Sequence, residues 1–245
     1  MKEKLVGVNS IMEALQGRRK VEKIYVLEGR PGKRLQDLLR LAEKKGVFIQ
    51  ELPRQRLNQM SPGVNHQGVL ATVEDYPYAS LEEVLEAAAL RGEEPFLLIL
   101  DGIEDPQNLG SIIRSAECAG VHGIILPRHG GAPVSEAVSR ASAGAVEHML
   151  VVQETNLVQA IKKLKDAGLW VVGADMDSEQ EYYHTAIPTP TALVIGSEGE
   201  GMRRLVKEHC DLLVKIPMQG QIASLNAGVA TALILYEILR QRGTP

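Results

Sequence analysis

Five short apolar runs constrain this chain more than any other feature: FLLIL at Phe96–Leu100, GIIL at Gly123–Leu126, WVVGA at Trp170–Ala174, ALVI at Ala192–Ile195 and LLVKI at Leu212–Ile216. Unbroken apolar strands need cover on both faces, and helical patterns such as Leu157–Ala167 separate these runs. The combination predicts an α/β fold with a mainly parallel sheet. No run reaches the roughly 18 residues of a membrane span. The opening MKEKLVGVNSIMEAL is charged and amphipathic, without the apolar core of a signal peptide. Cys118 and Cys210 form neither a disulfide framework nor a CxxC site, and the six histidines show no paired ligand spacing. A reducing cytoplasm and no metal are therefore expected, with both thiols serving as packing.

Charge divides the chain. Residues 1–75 carry 14 Lys and Arg against 9 Asp and Glu, a balance of +5, while the remainder carries 13 against 22, a balance of −9. A basic module could meet a polyanion, or its charge could simply keep it soluble. The module reads as α/β by itself. Asn9 is placed to cap a helix from Ser10 to about Gln16. Lys23–Leu27 is a strand, Lys33–Lys45 a helix stopped by Gly46, and Val47–Leu52 and Gly68–Val73 are further strands. Asp75–Ser80, with Pro77, reads as a linker.

Three segments place glycines and polar side chains just after buried strands, where ligands bind in open α/β sheets. In Leu100–Gly120, Asn108 is placed to cap the following helix, whose apolar stripe is Ile112, Ile113, Ala116 and Ala119. Arg114 lies about 200° from Ile112 and 100° from Ile113, away from that stripe. Spacing alone allows a cap followed by an exposed arginine. The loop LVIGSEGEGM at Leu193–Met202 is neither GxGxxG nor a P-loop, and Glu198 within it would repel a phosphate. It reads either as a turn with a solvated carboxylate or as a place for a cationic ligand. In Val214–Arg240, a loop through Gly220 precedes a helix with Leu225, Val229, Ala232, Leu233 and Tyr236 on one expected core face. Ser224 and Asn226 sit where that helix begins, and capping explains one of them but hardly both.

N-x-G-x-I-x-R at Asn108–Arg114, I-G-S-E-G-x-G at Ile195–Gly201 and I-P-M-x-G-x-x-x-S-L-N at Ile216–Asn226 resemble the three motifs of the SpoU (TrmH-type) family. These are RNA ribose 2′-O-methyltransferases of the SPOUT superfamily. GVNSIMEAL and NHQGVLA in the N-terminal module are similar to the family's substrate-binding domain, so the resemblance spans essentially the whole chain. It is strongest to the subgroup acting on a guanosine of large-subunit (23S) ribosomal RNA.

The resemblance implies an RNA substrate-binding domain at 1–75, a linker and connecting helix at 76–94, and a SPOUT catalytic domain at 95–245 with a C-terminal trefoil knot. It implies S-adenosylmethionine as cofactor, held largely by backbone at Gly196, Ile216 and Leu225 with Met218 nearby. Arg114 matches the arginine linked to the ribose hydroxyl. As a guanidinium is a poor base, stabilising an alkoxide or binding a phosphate suits it better. Asn108, Glu198, Ser224 and Asn226 fall on the remaining catalytic-site positions. A homodimer through the catalytic domain is implied, with 23S ribosomal RNA as partner. Arg18, Arg19, Lys20, Lys33 and Arg34 are the candidate phosphate contacts. Three other functions stand beside this one: a tRNA guanosine enzyme, which the separate module at 1–75 disfavours; an adenosine-specific rRNA resistance methyltransferase, which the motifs do not distinguish; and a non-catalytic RNA-binding assembly protein, which the retained Asn108, Arg114, Glu198, Ser224 and Asn226 disfavour.

Overall fold

The structure is a computed structural model that describes residues 3–222 and 224–243. Ala223 of the third motif, and the extreme ends of both expected domains, lie outside the described residues. The chain divides into two compact units, Met1–Pro77 with Val134–His148, and Tyr78–Pro133 with Met149–Pro245.

The first unit begins with β1 (Glu3–Val6), α1 (Val8–Gln16), β2 (Val21–Leu27), α2 (Lys33–Lys44), β3 (Phe48–Leu52), α3 (Arg54–Met60) and β4 (Val69–Val73). Its sheet runs β1-β4-β2-β3, with β2 and β3 parallel and the other pairs antiparallel. One face buries Leu5, Ile24 and Val73 with Ile11, Leu15 and Leu38; the other packs Val6 and Leu70 with Leu57. Asn9 is not the cap of α1. The helix starts at Val8, because Gly7 at φ +91° turns the chain directly out of β1. The short elements β1 and α3 are too brief to show a period in sequence.

The second unit opens with α4 (Leu81–Arg91), started by a reciprocal capping box between Ser80 and Glu83. Then come β5 (Phe96–Asp101), α5 (Pro106–Cys118) and β6 (Gly123–Pro127). The next stretch, α6 (Glu136–Ala141) and a 3-10 turn at Ala145–His148, belongs to the first unit. The second unit resumes with β7 (Val151–Glu154), α7 (Leu157–Asp166), β8 (Trp170–Ala174), β9 (Thr191–Gly196), α8 (Arg204–Glu208), β10 (Leu212–Val214) and α9 (Ala227–Arg242). Its six-stranded sheet has the order β10-β8-β9-β5-β6-β7, parallel throughout. The strand order steps outward from β5 to β7, then reverses, and β9 inserts between β8 and β5. Every residue from Phe96 to Asp101 is buried, as a strand covered on both faces requires. The knot implied by the family is consistent with this α/β architecture.

Arg19 is withdrawn from solvent, which overturns it as a phosphate contact. Its side chain is fully buried, with Nη1 2.7 Å from Glu3 Oε2 and Nε 3.3 Å from Glu147 Oε2. Its guanidinium also lies over the Tyr76 ring. Cys118, expected to pack, is exposed at the end of α5 because it falls off the buried stripe. Cys210 is half-buried, and burial pushes its thiol up to about 12, which keeps it inert.

The stripe expected to bury α9 is also corrected. Val229, Leu233 and Tyr236 are 49%, 39% and 49% exposed, whereas Ala227, Thr231, Ile234, Leu235 and Ile238 form the buried side. This helix is apolar on two faces, so periodicity could not say which one faces inward.

Candidate active site

The carboxyl ends of β5, β8, β9 and β10 gather on one edge of the parallel sheet, at the reversal of strand order. Two cavities open there. The first, about 310 Å3, is bounded by the end of β8, the loop after β9, and the segment between β10 and α9. Gly196, Ile216, Met218, Leu225, Ser224 and Glu198 all line it. The second, about 730 Å3, lies beside the ends of β5 and β9 and is lined by Asn108, Glu198, Asp101 and Arg203 among others. Glu198 belongs to both.

The glycine-rich loop between them is closed tightly. Ser197 and Gly201 exchange backbone hydrogen bonds at 3.1 Å, with Gly199 and Gly201 at φ +93° and +70°. A Cβ at Gly196 would lie 2.1 Å from the Gly201 carbonyl carbon and 2.2 Å from the Met202 nitrogen. Glycine is therefore required there by the loop's own backbone. The backbone contact with a cofactor that the family resemblance implies at Gly196 is not needed to explain the glycine.

Three of the motif side chains meet. Asn226 Nδ2 donates to Glu198 Oε1 at 2.9 Å and to Asn108 Oδ1 at 2.8 Å. The Ala227 N–H also donates to Glu198 Oε1, at 2.8 Å. Meanwhile Asn226 Oδ1 caps α9 by accepting from the Gly228 and Val229 N–H groups. One asparagine thus starts a helix with its oxygen and ties two motifs together with its nitrogen. Asn108 is not the cap of α5: Asp105 Oδ1 accepts from the Gln107 N–H, and Pro106 opens the first turn. That frees the Asn108 oxygen for Asn226. α5 and α9 pack side by side, and Gly228 leaves room for Ser111 between them.

Two residues missed in the sequence reading support this arrangement. Asp101, fully buried at the end of β5, accepts from the Arg203 backbone N–H at 2.8 Å and from Arg203 Nε at 2.7 Å. It anchors the far end of the glycine loop; the only trace in sequence is a carboxylate ending an apolar run. Lys207 pairs with Asp175 at 2.7 Å on the wall of the first cavity.

The first cavity combines apolar Ile195, Ile216 and Leu225 with the carboxylates Asp175, Asp177 and Glu198. Ile216 and Met218 line it from the segment after β10 and, among the described residues, make no backbone–backbone hydrogen bonds. Such a recess suits a flat, partly apolar molecule carrying positive charge. Ser224 is exposed and Leu225 half-buried at its rim.

Arg114 lines neither cavity. It is exposed on α5, off the buried stripe of Leu109, Ile112, Ile113 and Ala116. Arg18, Lys33 and Arg34 are exposed in the first unit, as is Lys20, which pairs with Glu74 at 3.1 Å. Among the described residues there is no cluster of three or more His, Cys, Asp or Glu side chains able to hold a metal. No helix there is long and apolar enough to cross a membrane.

Comparison with known proteins accounts for both units. Residues 95–236 match the SpoU rRNA Methylase family, and residues 4–79 match the RNA 2′-O ribose methyltransferase substrate-binding family. YacO of Bacillus subtilis (strain 168), which carries a provisional assignment as a TrmH family tRNA/rRNA methyltransferase, is 45% identical over 97% of this chain and 95% of its own. The 23S rRNA (guanosine-2′-O-)-methyltransferase RlmB of Salmonella typhimurium is 39% identical over 99% of this chain and all of its own. The crystal structure of the SpoU methyltransferase AviRb from Streptomyces viridochromogenes, in complex with the cofactor AdoMet, superposes with a TM-score of 0.81. It is 28% identical and covers 98% of this chain and 90% of that one. The motifs, the parallel sheet and these matches agree: the chain belongs to the SpoU methyltransferase family.

Proposed function

We propose that this protein is an S-adenosylmethionine-dependent methyltransferase acting on the ribose 2′-hydroxyl of a guanosine in 23S ribosomal RNA. The observation that carries the reading is the Asn108–Asn226–Glu198 network, set between a cavity suited to a cation and a second, larger one. The guanosine and the 23S target are supported by the relative bearing that name, which aligns over nearly the whole chain.

The residues fit the cofactor. Ile195, Ile216 and Leu225 offer apolar surface to an adenine, and the carboxylates offer the field a sulfonium and an ammonium need. S-adenosylmethionine held there would supply an electrophilic methyl group: the ribose 2′-oxygen would bond to the methyl carbon in line as the carbon–sulfur bond breaks, neutral S-adenosylhomocysteine would leave, and the hydroxyl proton would pass to solvent. The protein's work is alignment and charge. Gly196, Ile216, Leu225 and Met218 hold the cofactor, chiefly by backbone. Glu198 fixes the glycine loop against α9, so both cavities keep one shape. Asn108 and Asn226 order the boundary between them, with Ser224 at the rim. Arg114, exposed on α5, binds a phosphate of the RNA or stabilises the developing alkoxide.

Arg18, Lys20, Lys33 and Arg34 supply phosphate contacts from the basic unit. The active form is a homodimer through the catalytic unit, and the exposed Val229, Leu233 and Tyr236 stripe of α9 is its candidate contact. The site of action is the cytoplasm, where ribosomes assemble. Mass-spectrometric mapping of 2′-O-methyl groups in rRNA from cells with and without the gene tests the reading. One guanosine of 23S RNA should lose its methyl group; loss from tRNA or from an adenosine instead would replace the substrate assignment.

A further inference from the structure

The first unit contains a cavity of about 410 Å3 that the reaction above does not use. It lies where β2 leads into α2, beside α3 and the turn before β4. Arg30, Arg54, Asn58, Asn65, His66 and Gln67 line it, with Glu28. Its hydrogen-bond inventory is one-sided. His66 Nδ1 accepts from the Gly68 N–H at 3.0 Å, so the neutral ring carries its proton on Nε2 and donates to Asn58 Oδ1 at 2.9 Å. Asn65 Oδ1 accepts from the Gln67 N–H at 3.2 Å, and Gln67 Oε1 accepts from the Val8 N–H at 3.3 Å. In all three amides the oxygen is engaged by the protein, while no hydrogen bond among the described residues uses the NH2 group. Gln67 is held in the left-handed region at φ +52°, unusual for a residue with a side chain. Arg30 and Arg54 are exposed, and among the described residues neither pairs with a carboxylate.

A recess whose amide and imidazole acceptors are consumed, and whose amide NH2 groups and arginines are not, suits a ligand rich in acceptors. Phosphate oxygens suit the two arginines, and the carbonyl and ring-nitrogen acceptors of a base suit the amides. Glu28, the one carboxylate of the lining, suits the ring N–H groups of a base better than a phosphate. The volume is within the range of small-ligand clefts. A base can enter such a recess only when it is out of the helical stack. We infer that this cavity takes one unpaired nucleotide of the RNA substrate, with Arg30 and Arg54 on its flanking phosphates and Asn58, Asn65 and Gln67 on its base. The inference rests on the reading of the first unit as RNA-binding and names the place and form of that binding.

Fluorescence anisotropy of the full-length protein tests it, using a labelled unpaired RNA oligonucleotide and the same strand in a duplex over a range of salt. The doubly substituted Arg30→Ala, Arg54→Ala protein should bind the unpaired RNA at least tenfold more weakly. Its salt slope should fall by about 1.4, the value for two single-strand phosphate contacts. Asn58→Ala should weaken binding severalfold without changing the slope, and Arg40→Ala, on α2 outside the cavity, should do neither. All the substituted residues are exposed, so melting temperature and cofactor affinity should stay at wild-type values. Wild-type affinity in the double variant, beside a wild-type protein that binds RNA, overturns this cavity and leaves the RNA reading intact. Equal losses on duplex and unpaired RNA overturn the unpaired nucleotide. A wild-type protein that binds neither RNA overturns both the cavity and the RNA reading beneath it.

Discussion

Asn226 and Glu198 meet at 2.9 Å although 28 residues separate them, and the Ala227 N–H reaches the same carboxylate oxygen at 2.8 Å. The start of the last helix is thereby fastened to the glycine loop after β9. Both walls of the smaller cavity depend on one carboxylate. Glu198→Gln keeps the shape but weakens two charge-assisted hydrogen bonds, and Glu198→Ala removes them. Cofactor affinity, read by calorimetric titration, should fall about tenfold for Gln and further for Ala, at roughly 1.4 kcal/mol per tenfold step. Wild-type affinity in Glu198→Ala would show that the loop closes without it.

Arg114 stands apart from both cavities and from the core. Arg114→Ala should fold and bind S-adenosylmethionine normally while losing about 10²–10³ in single-turnover methyl transfer, the usual cost of one transition-state partner. Arg114→Lys should recover little, because a point charge does not replace a planar fork. A parallel loss of cofactor affinity would move Arg114 to the cofactor side.

Gly196 behaves differently. Its Cβ would strike backbone atoms of Gly201 and Met202, which cannot swing aside as a side chain can. Gly196→Ala should therefore open the loop, lowering melting temperature and cofactor affinity together. A variant that keeps its stability and loses only the cofactor would restore ligand approach as the reason for glycine.

Glu147 sets a pH dependence in the first unit. Burial pushes its carboxyl up to about 7, outweighing the opposing pull of Arg19; Glu3 adds to the rise, and Ser139 and His148 oppose it. The folded protein thus holds this proton more tightly than the unfolded chain. Its contribution to stability is complete below about 4.5 and is lost as pH rises through about 7. Denaturant unfolding of the wild type against Glu147→Gln should show the difference: the substituted protein lacks that part of the decline between these values. Identical pH profiles would mean that the Arg19 pair keeps Glu147 charged throughout.

The exposed stripe of α9 carries the assembly prediction. Leu233→Glu places a charge at its centre and leaves Ile234, Leu235 and Ile238 buried beneath. Sedimentation at micromolar concentration should find a dimer for the wild type and a monomer for the variant, with secondary structure unchanged. A variant that stays dimeric would assign the contact to another surface.

The sequence by itself determined the parallel sheet, because strands covered on both faces must be apolar without interruption, and Phe96–Leu100 and Ala192–Ile195 are. It also located the three motif segments, by their place after such strands and by their resemblance to the SpoU motifs, while local spacing left a cap, a turn and a solvated carboxylate equally open. Only the tertiary structure decided which partners those residues take. Asn108 reads locally as a cap, yet Asp105 fills that role and Asn108 reaches Asn226 on another helix. Arg19 reads as a surface charge until Glu147, more than a hundred residues later, is brought beside it in a buried pair. On α9 both faces are apolar, so period could not say which faces inward; packing against the sheet and α5 settled that Ile234 does and Leu233 does not. Local pattern records what a residue can do with its neighbours in sequence. Burial and pairing depend on segments far apart in the chain, and those meet only in the folded protein.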